Sequence, residues 1–202
     1  LKLLEMHGDE FLSVNGLRVY SPKFLQLLKN LKDKKYIGLH LIYSQFRTIE
    51  GIGIITLILK QNGFSRFKIT NKKGPWQLDM TDDELAKPSF ALYTGTETVE
   101  EKEIILNKFL KNDFKILVST TIIEVGIDFP NANVIIIENA NKFGLSQLHQ
   151  LRGRVGRGEK EATCILMFKS NLSENAKKRI NILKETNDGF VISEEDMKIR
   201  GF

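Results

Sequence analysis

The sequence predicts an α/β fold in one domain, a mainly parallel sheet with helices on both faces. From Gly38 onward, short apolar runs alternate with helix-patterned segments, as βαβ units require. Hydrophobic residues fill 42% of 202 positions, enough for a core that covers both sides of a sheet. A third observation is the stretch GLSQLHQLRGRVGRG. Its Leu145, Leu148 and Leu151 form a stripe that can pack inward on a helix, while Gln147, Gln150 and Arg154 fall on another face.

The elements follow in order. Residues 1–36 are a lead-in with one amphipathic helix after Ser21-Pro22, built on Phe24, Leu25, Leu27, Leu28 and Leu31. Gly38 to Tyr43 is the first strand. Ile49 to Lys60 is a helix apolar almost all round, and its Gly51 and Gly53 are read as close-packing residues, since no third glycine completes a dinucleotide fingerprint. Phe64 to Thr70 and Pro75 to Met80, joined by Asn71-Lys72-Lys73-Gly74, predict an inserted β-hairpin, and Asp82-Asp83-Glu84 a solvated loop.

Ser89 to Tyr93 is a strand ending at Thr94-Gly95. Thr98 with Glu101 forms a capping box for a helix whose Val99, Leu106, Phe109 and Leu110 can face the sheet. Lys115 to Ser119, Asn133 to Ile137 and Ala162 to Phe168 are further strands. A last helix, with Asn171 and Glu174 at capping positions, opens a C-terminal helical extension over 171–202, so that 37–170 is the main domain.

Composition excludes some chemistry. A net charge of +5 permits nucleic acid without demanding it. The single cysteine, Cys164, lies in an apolar run and is read as a core thiol; disulfides and zinc sites are excluded, and no metal site is expected. No apolar run reaches the roughly 20 residues of a membrane span, so no membrane partner and an intracellular, cytoplasmic setting are expected, in a host cell or virion if the source is viral. The chain opens on Leu1 and ends on Phe202, and is expected to be part of a longer polypeptide.

Two stretches carry chemistry. STTIIEVGIDFP follows a strand, where loop hydroxyls and amides are free for ligands. There Thr120 can donate to a phosphodiester, Gly126 gives the backbone room, and Asp128 can accept from a ribose hydroxyl or pair with an arginine; the same residues also suit strand-end caps and a turn before Pro130. In the glycine-spaced cluster Arg152, Arg154 and Arg157, planar guanidinium groups suit the charge that moves in phosphoryl transfer. No GxxxxGK[ST] phosphate loop occurs, and Glu159 stands where its lysine would be after Gly153 to Gly158.

The order STTIIEVGIDFP, NVIIIENANKFGLSQLHQLRGRVGRG, ETNDGFVISEEDMKIRG closely resembles the second RecA-like domain of superfamily 2 helicases, and within them the RecG group of DNA helicases, over about 115–201. The first half, LHLIYSQFRTIEGIGI and ALYTGTETVEEKEIILNKF, resembles the same domain in Swi/Snf-related helicase-like ATPases of large DNA viruses. The resemblance implies that Thr120, with Thr94 and Gly95, contacts the nucleic-acid backbone. Gly126 and Asp128 would belong to a nucleotide-sensing loop. Gln150, Arg154 and Arg157 match QxxGRxGR, the two arginines being the catalytic fingers on ATP, with Arg152 structural.

The resemblance implies one half of an ATP-dependent DNA helicase, inactive as an ATPase alone. ATP and Mg2+ would be held mainly by a first RecA-like domain of the same polypeptide, with DNA, branched or containing single strands, as partner. Its last segment would begin a helical hairpin that couples hydrolysis to translocation. A binding module without motor activity and an RNA helicase domain are the alternatives.

Overall fold

A computed structural model describes residues 1–46, 51–72, 74–120, 129, 131–156 and 162–201. The lead-in holds four helices, α1 (Lys2–Met6), α2 (Gly8–Phe11), α3 (Val14–Tyr20) and α4 (Pro22–Lys32), of which the sequence pattern predicts the last. The others are too short for a legible period; α3 is fixed by Ser13, whose hydroxyl accepts from the Gly16 amide at 3.2 Å.

The body follows as β1 (Leu39–Tyr43), α5 (Ile52–Gln61), β2 (Ser65–Arg66), β3 (Ile69–Thr70), β4 (Gln77–Leu78), α6 (Asp82–Leu85), β5 (Ser89–Tyr93) and α7 (Val99–Leu110). Then come β6 (Ile116–Ser119), β7 (Ala132–Ile137), α8 (Leu145–Arg152), β8 (Thr163–Leu166), α9 (Glu174–Glu185) and α10 (Gly189–Arg200). Among the described residues, six strands form one parallel sheet in the order β2-β5-β6-β1-β7-β8.

The chain leaves β1 for the β2 edge, steps back through β5 and β6, and then passes over β1 to β7. Right-handed crossovers in opposite directions place α5 on one face and α7 and α8 on the other. Side chains alternate accordingly. Leu41, Tyr43, Ala91, Leu117 and Ile135 join one buried cluster with α7, α8, α9 and α10, while Ile42, Phe90, Val118 and Ile136 join another with the lead-in and α5.

Four expectations are corrected, the first being Val99, which is 74% exposed and faces solvent rather than the sheet. Phe64 to Thr70 is not one hairpin arm: Ser65 and Arg66 pair with β5, the Ser65 and Phe67 amides donating to Pro88 and Phe90, so only Ile69–Thr70 is left to meet Gln77–Leu78. Asp82 to Glu84 is a helical turn, closed by the Thr81 amide donating to Glu84 Oε2 at 3.0 Å and the Glu84 amide to Thr81 Oγ1 at 3.3 Å. Ser173, not Asn171, caps α9. Gly51 needs its missing side chain: a Cβ there would strike the Phe46 carbonyl and the Ser44 hydroxyl. No helix among the described residues is long and apolar enough to cross a membrane.

Candidate functional site

Parallel strands bring the ends of neighbouring strands into rows. At the carboxyl row, Thr94 follows β5, Thr120 follows β6, Ser44 follows β1 and Glu138 follows β7. The Thr94 hydroxyl donates to the Glu97 carboxylate at 2.9 Å, and the Thr94 amide does so at 2.7 Å. Burial works to raise the Glu97 pKa, but these donors and the Thr96 hydroxyl outweigh it and hold it below the usual carboxylate value. The Thr94 side chain is therefore occupied, and Gly95 and Thr96 are the exposed residues of that loop. Thr120 is 1% exposed, and its Oγ1 has no hydrogen-bond partner among the described residues.

Glu138, 1% exposed, gathers a second set of bonds in this row. Lys23 of α4 and the Asn139 amide at 2.8 Å donate to Oε1, and Ser44 donates to Oε2 at 2.7 Å. Nothing in the local pattern signals it, because Lys23 lies 115 residues away.

The arginine stretch lies at the opposite, amino end. α8 runs back along the sheet with Leu145, Leu148 and Leu151 buried as the stripe predicts. Beyond it, Val155 bridges Phe129, and the Gly156 amide donates to Ala132, the first residue of β7. Gly156 adopts φ +79°, and a Cβ there would overlap Ala162. Arg154 is thus half-buried at the amino edge, and Gln150 is exposed on α8. Strands of this length separate the two rows by about 16 Å. Gly126, Asp128 and Arg157 lie outside the described residues.

Arg152 faces α9 and its turn. Its Nη1 donates to the carbonyls of Leu183 at 2.6 Å and Thr186 at 3.0 Å, and its Nη2 lies 3.0 Å from His149 Nδ1. At the other end of α8, Ser146 donates to Asp196 of α10 at 2.8 Å, and Arg200 pairs with the same carboxylate. The α9–α10 hairpin is therefore clamped to α8 twice. Behind α8, Cys164 is partly buried against the core rather than within it, and that burial pushes its thiol up to about 12. Among the described residues no group of three His, Cys, Asp or Glu side chains could hold a metal ion.

Two histidines make the fold acid-sensitive. Burial and then the Arg152 charge lower the His149 pKa; burial also lowers that of His40, helped by Lys115 and opposed by its bond to the Gly38 carbonyl. As pH falls through about 6.5 the unfolded chain takes up protons that the folded imidazoles resist, so stability is present above that value and is lost below it. The unfolding temperature should fall between pH 7 and pH 5.5, above the carboxylate range. A flat or rising profile contradicts this.

Residues 54–159 match the family described as helicase conserved C-terminal domain, a span that runs through both halves of the sequence. The chain is 55% identical over 110 residues to the ATP-dependent DNA helicase RecG of Pasteurella multocida, covering 54% of this chain and 16% of that protein. It is 50% identical over 115 residues to RecG of Bacillus subtilis, covering 57% and 17%. The chain thus spans about a sixth of the length of these relatives. A structure of RecG bound to a three-way DNA junction superposes with TM-score 0.63 at 32% identity, over 90% of this chain and 21% of that one. The C-terminal domain of the DEAD-box protein Dbp5 gives 0.56 at 17% identity, over 88% and 91%, a likeness of fold.

Proposed function

Because this chain belongs to the helicase conserved C-terminal domain family, we propose that it is the second motor half of an ATP-dependent DNA helicase or translocase of the RecG type. The observation that carries the reading is the double clamp on α8: the helix that bears Gln150 and leads to Arg154 is tied at both ends to the α9–α10 hairpin.

Guanidinium and amide donors at the amino edge fit phosphate oxygens. Mg2+, on this reading, belongs to a first RecA-like domain with the phosphate-binding loop. When bound there, ATP would supply the phosphoanhydride bond that is cleaved, and its phosphates would be what the two halves close on. Closure brings Arg154, with Arg157 and Gln150, against the phosphates, where fixed positive charge stabilises the transition state. On the same reading Gly126 and Asp128 sense the nucleotide, while Thr120 and Gly95 hold the DNA backbone at the carboxyl row. The Thr120 hydroxyl, free of partners among the described residues, supports that role; the Glu97 bond leaves Thr94 a loop-shaping one. The cytoplasm is the compartment this activity implies.

Breaking one clamp should separate hydrolysis from movement. Arg152 makes two charge-assisted bonds to carbonyls, each worth about 1.5–3 kcal/mol. Arg152→Leu in the full-length polypeptide should keep DNA-stimulated ATP hydrolysis within about threefold while DNA unwinding falls by about tenfold or more. Equal losses of both would sink the coupling. The substrate is tested by competition between branched DNA and duplex RNA at roughly 0.1 M salt, since phosphate contacts make affinity salt-dependent. Preference for branched DNA is expected; preference for RNA would overturn the DNA assignment.

A further inference from the structure

The turn after β7 is built to present a cation. Asn139 takes a left-handed conformation, φ 55° and ψ 44°, and Ala140–Lys142 then forms one 3-10 turn. Lys142 is exposed and has no carboxylate at ion-pair distance among the described residues; its Nζ sits 4.5 Å from the centroid of the Phe46 ring. Phe46 belongs to the loop after β1. That loop is joined to the turn by the Ser44 bond to Glu138 and by the Glu138 amide donating to the Tyr43 carbonyl at 2.8 Å. The one acid of the turn is itself neutralised by Lys23. Arg179 of α9 adds a second cation, donating to the Asn141 carbonyl at 3.2 Å.

The sheet order sets this pair in line with the other strand ends. β5, β6, β1 and β7 are consecutive neighbours, so Gly95, Thr120, Phe46 and the β7 turn succeed one another along the carboxyl edge. Three strand spacings of about 4.8 Å make the row about 14 Å long.

We propose that one nucleic-acid strand crosses the carboxyl edge from Gly95 past Thr120 to the β7 turn, where Lys142 contacts a backbone phosphate. Glu138 is a positioning residue for that contact. It holds the loop after β1 and the β7 turn together, so that the Phe46 ring lies beside the Lys142 stem and ammonium and limits where the charge can go. This rests on the DNA-binding reading and deepens it by naming the far end of the track.

The test is equilibrium binding of a fluorescent single-stranded oligothymidine to the full-length polypeptide across a range of salt. Lys142→Gln should flatten the slope of log K against log salt by about 0.7, the value for one phosphate contact on a single strand; Lys142→Arg should keep the wild-type slope. The position is exposed, so unfolding temperatures should not change, and Lys142→Met supplies a second neutral variant. Neutral variants that keep the wild-type slope overturn the Lys142 contact. A wild-type protein that binds no DNA, or binds without salt dependence, overturns the DNA reading itself.

Discussion

Arg154→Ala in the full-length polypeptide should lower ATP turnover by about a thousandfold, the lower end of what an arginine finger contributes. The backbone at this position is held by main-chain bonds. The Arg154 amide donates to Leu151 at 3.1 Å, its carbonyl accepts from Phe129 at 3.0 Å, and Val155 continues the bridge to the sheet. The variant should therefore fold normally. ATP binding should change far less than turnover, because the guanidinium acts on charge that develops during transfer. Arg154→Lys should not restore activity, since an ammonium lacks the planar fork. Turnover within about threefold of wild type would remove Arg154 from the site.

Lys23→Met should destabilise the chain by about 3 kcal/mol, or roughly 9 °C in unfolding temperature for a chain of this size. Glu138 is 1% exposed, so losing its cation leaves a carboxylate that cannot reach water. Glu138→Gln should cost less. Lys23 is 22% exposed in its side chain and can turn its ammonium to solvent when the carboxylate is gone. A larger loss for Glu138→Gln than for Lys23→Met would contradict this account of the pair. The Lys23–Glu138 contact also explains why the lead-in packs as part of the domain: it fastens the start of α4 to the carboxyl row beside β1 and β7.

The contrast between Leu151 and Arg152 shows how far the sequence is legible. Leu145, Leu148 and Leu151 recur at helical spacing, so their burial follows from local periodicity, and the apolar strands Leu39–Tyr43 and Ala132–Ile137 are marked in the same way. Thr98 is legible too, its hydroxyl accepting from the Glu101 amide at 3.2 Å as the spacing implies. Arg152 looks like one arginine among three. Its distinct role comes from carbonyls 31 and 34 residues away, which no local pattern encodes. The same holds for the separation of the candidate residues. Thr120 and Arg154 sit at opposite ends of the sheet because Thr120 ends β6, while Arg154 lies on the connection from β7 to its parallel neighbour β8, which must return from one end to the other. β2 was obscured for a related reason: two residues at a sheet edge are too few to show a period.

The central claim is that this chain supplies one side of a divided ATP site. The direct measurement is magnesium-dependent ATP hydrolysis by the purified 202-residue chain, with and without DNA, beside the full-length polypeptide. The account predicts no turnover above background for the chain alone and DNA-stimulated turnover for the full-length polypeptide. Robust magnesium-dependent hydrolysis by the chain alone would contradict it.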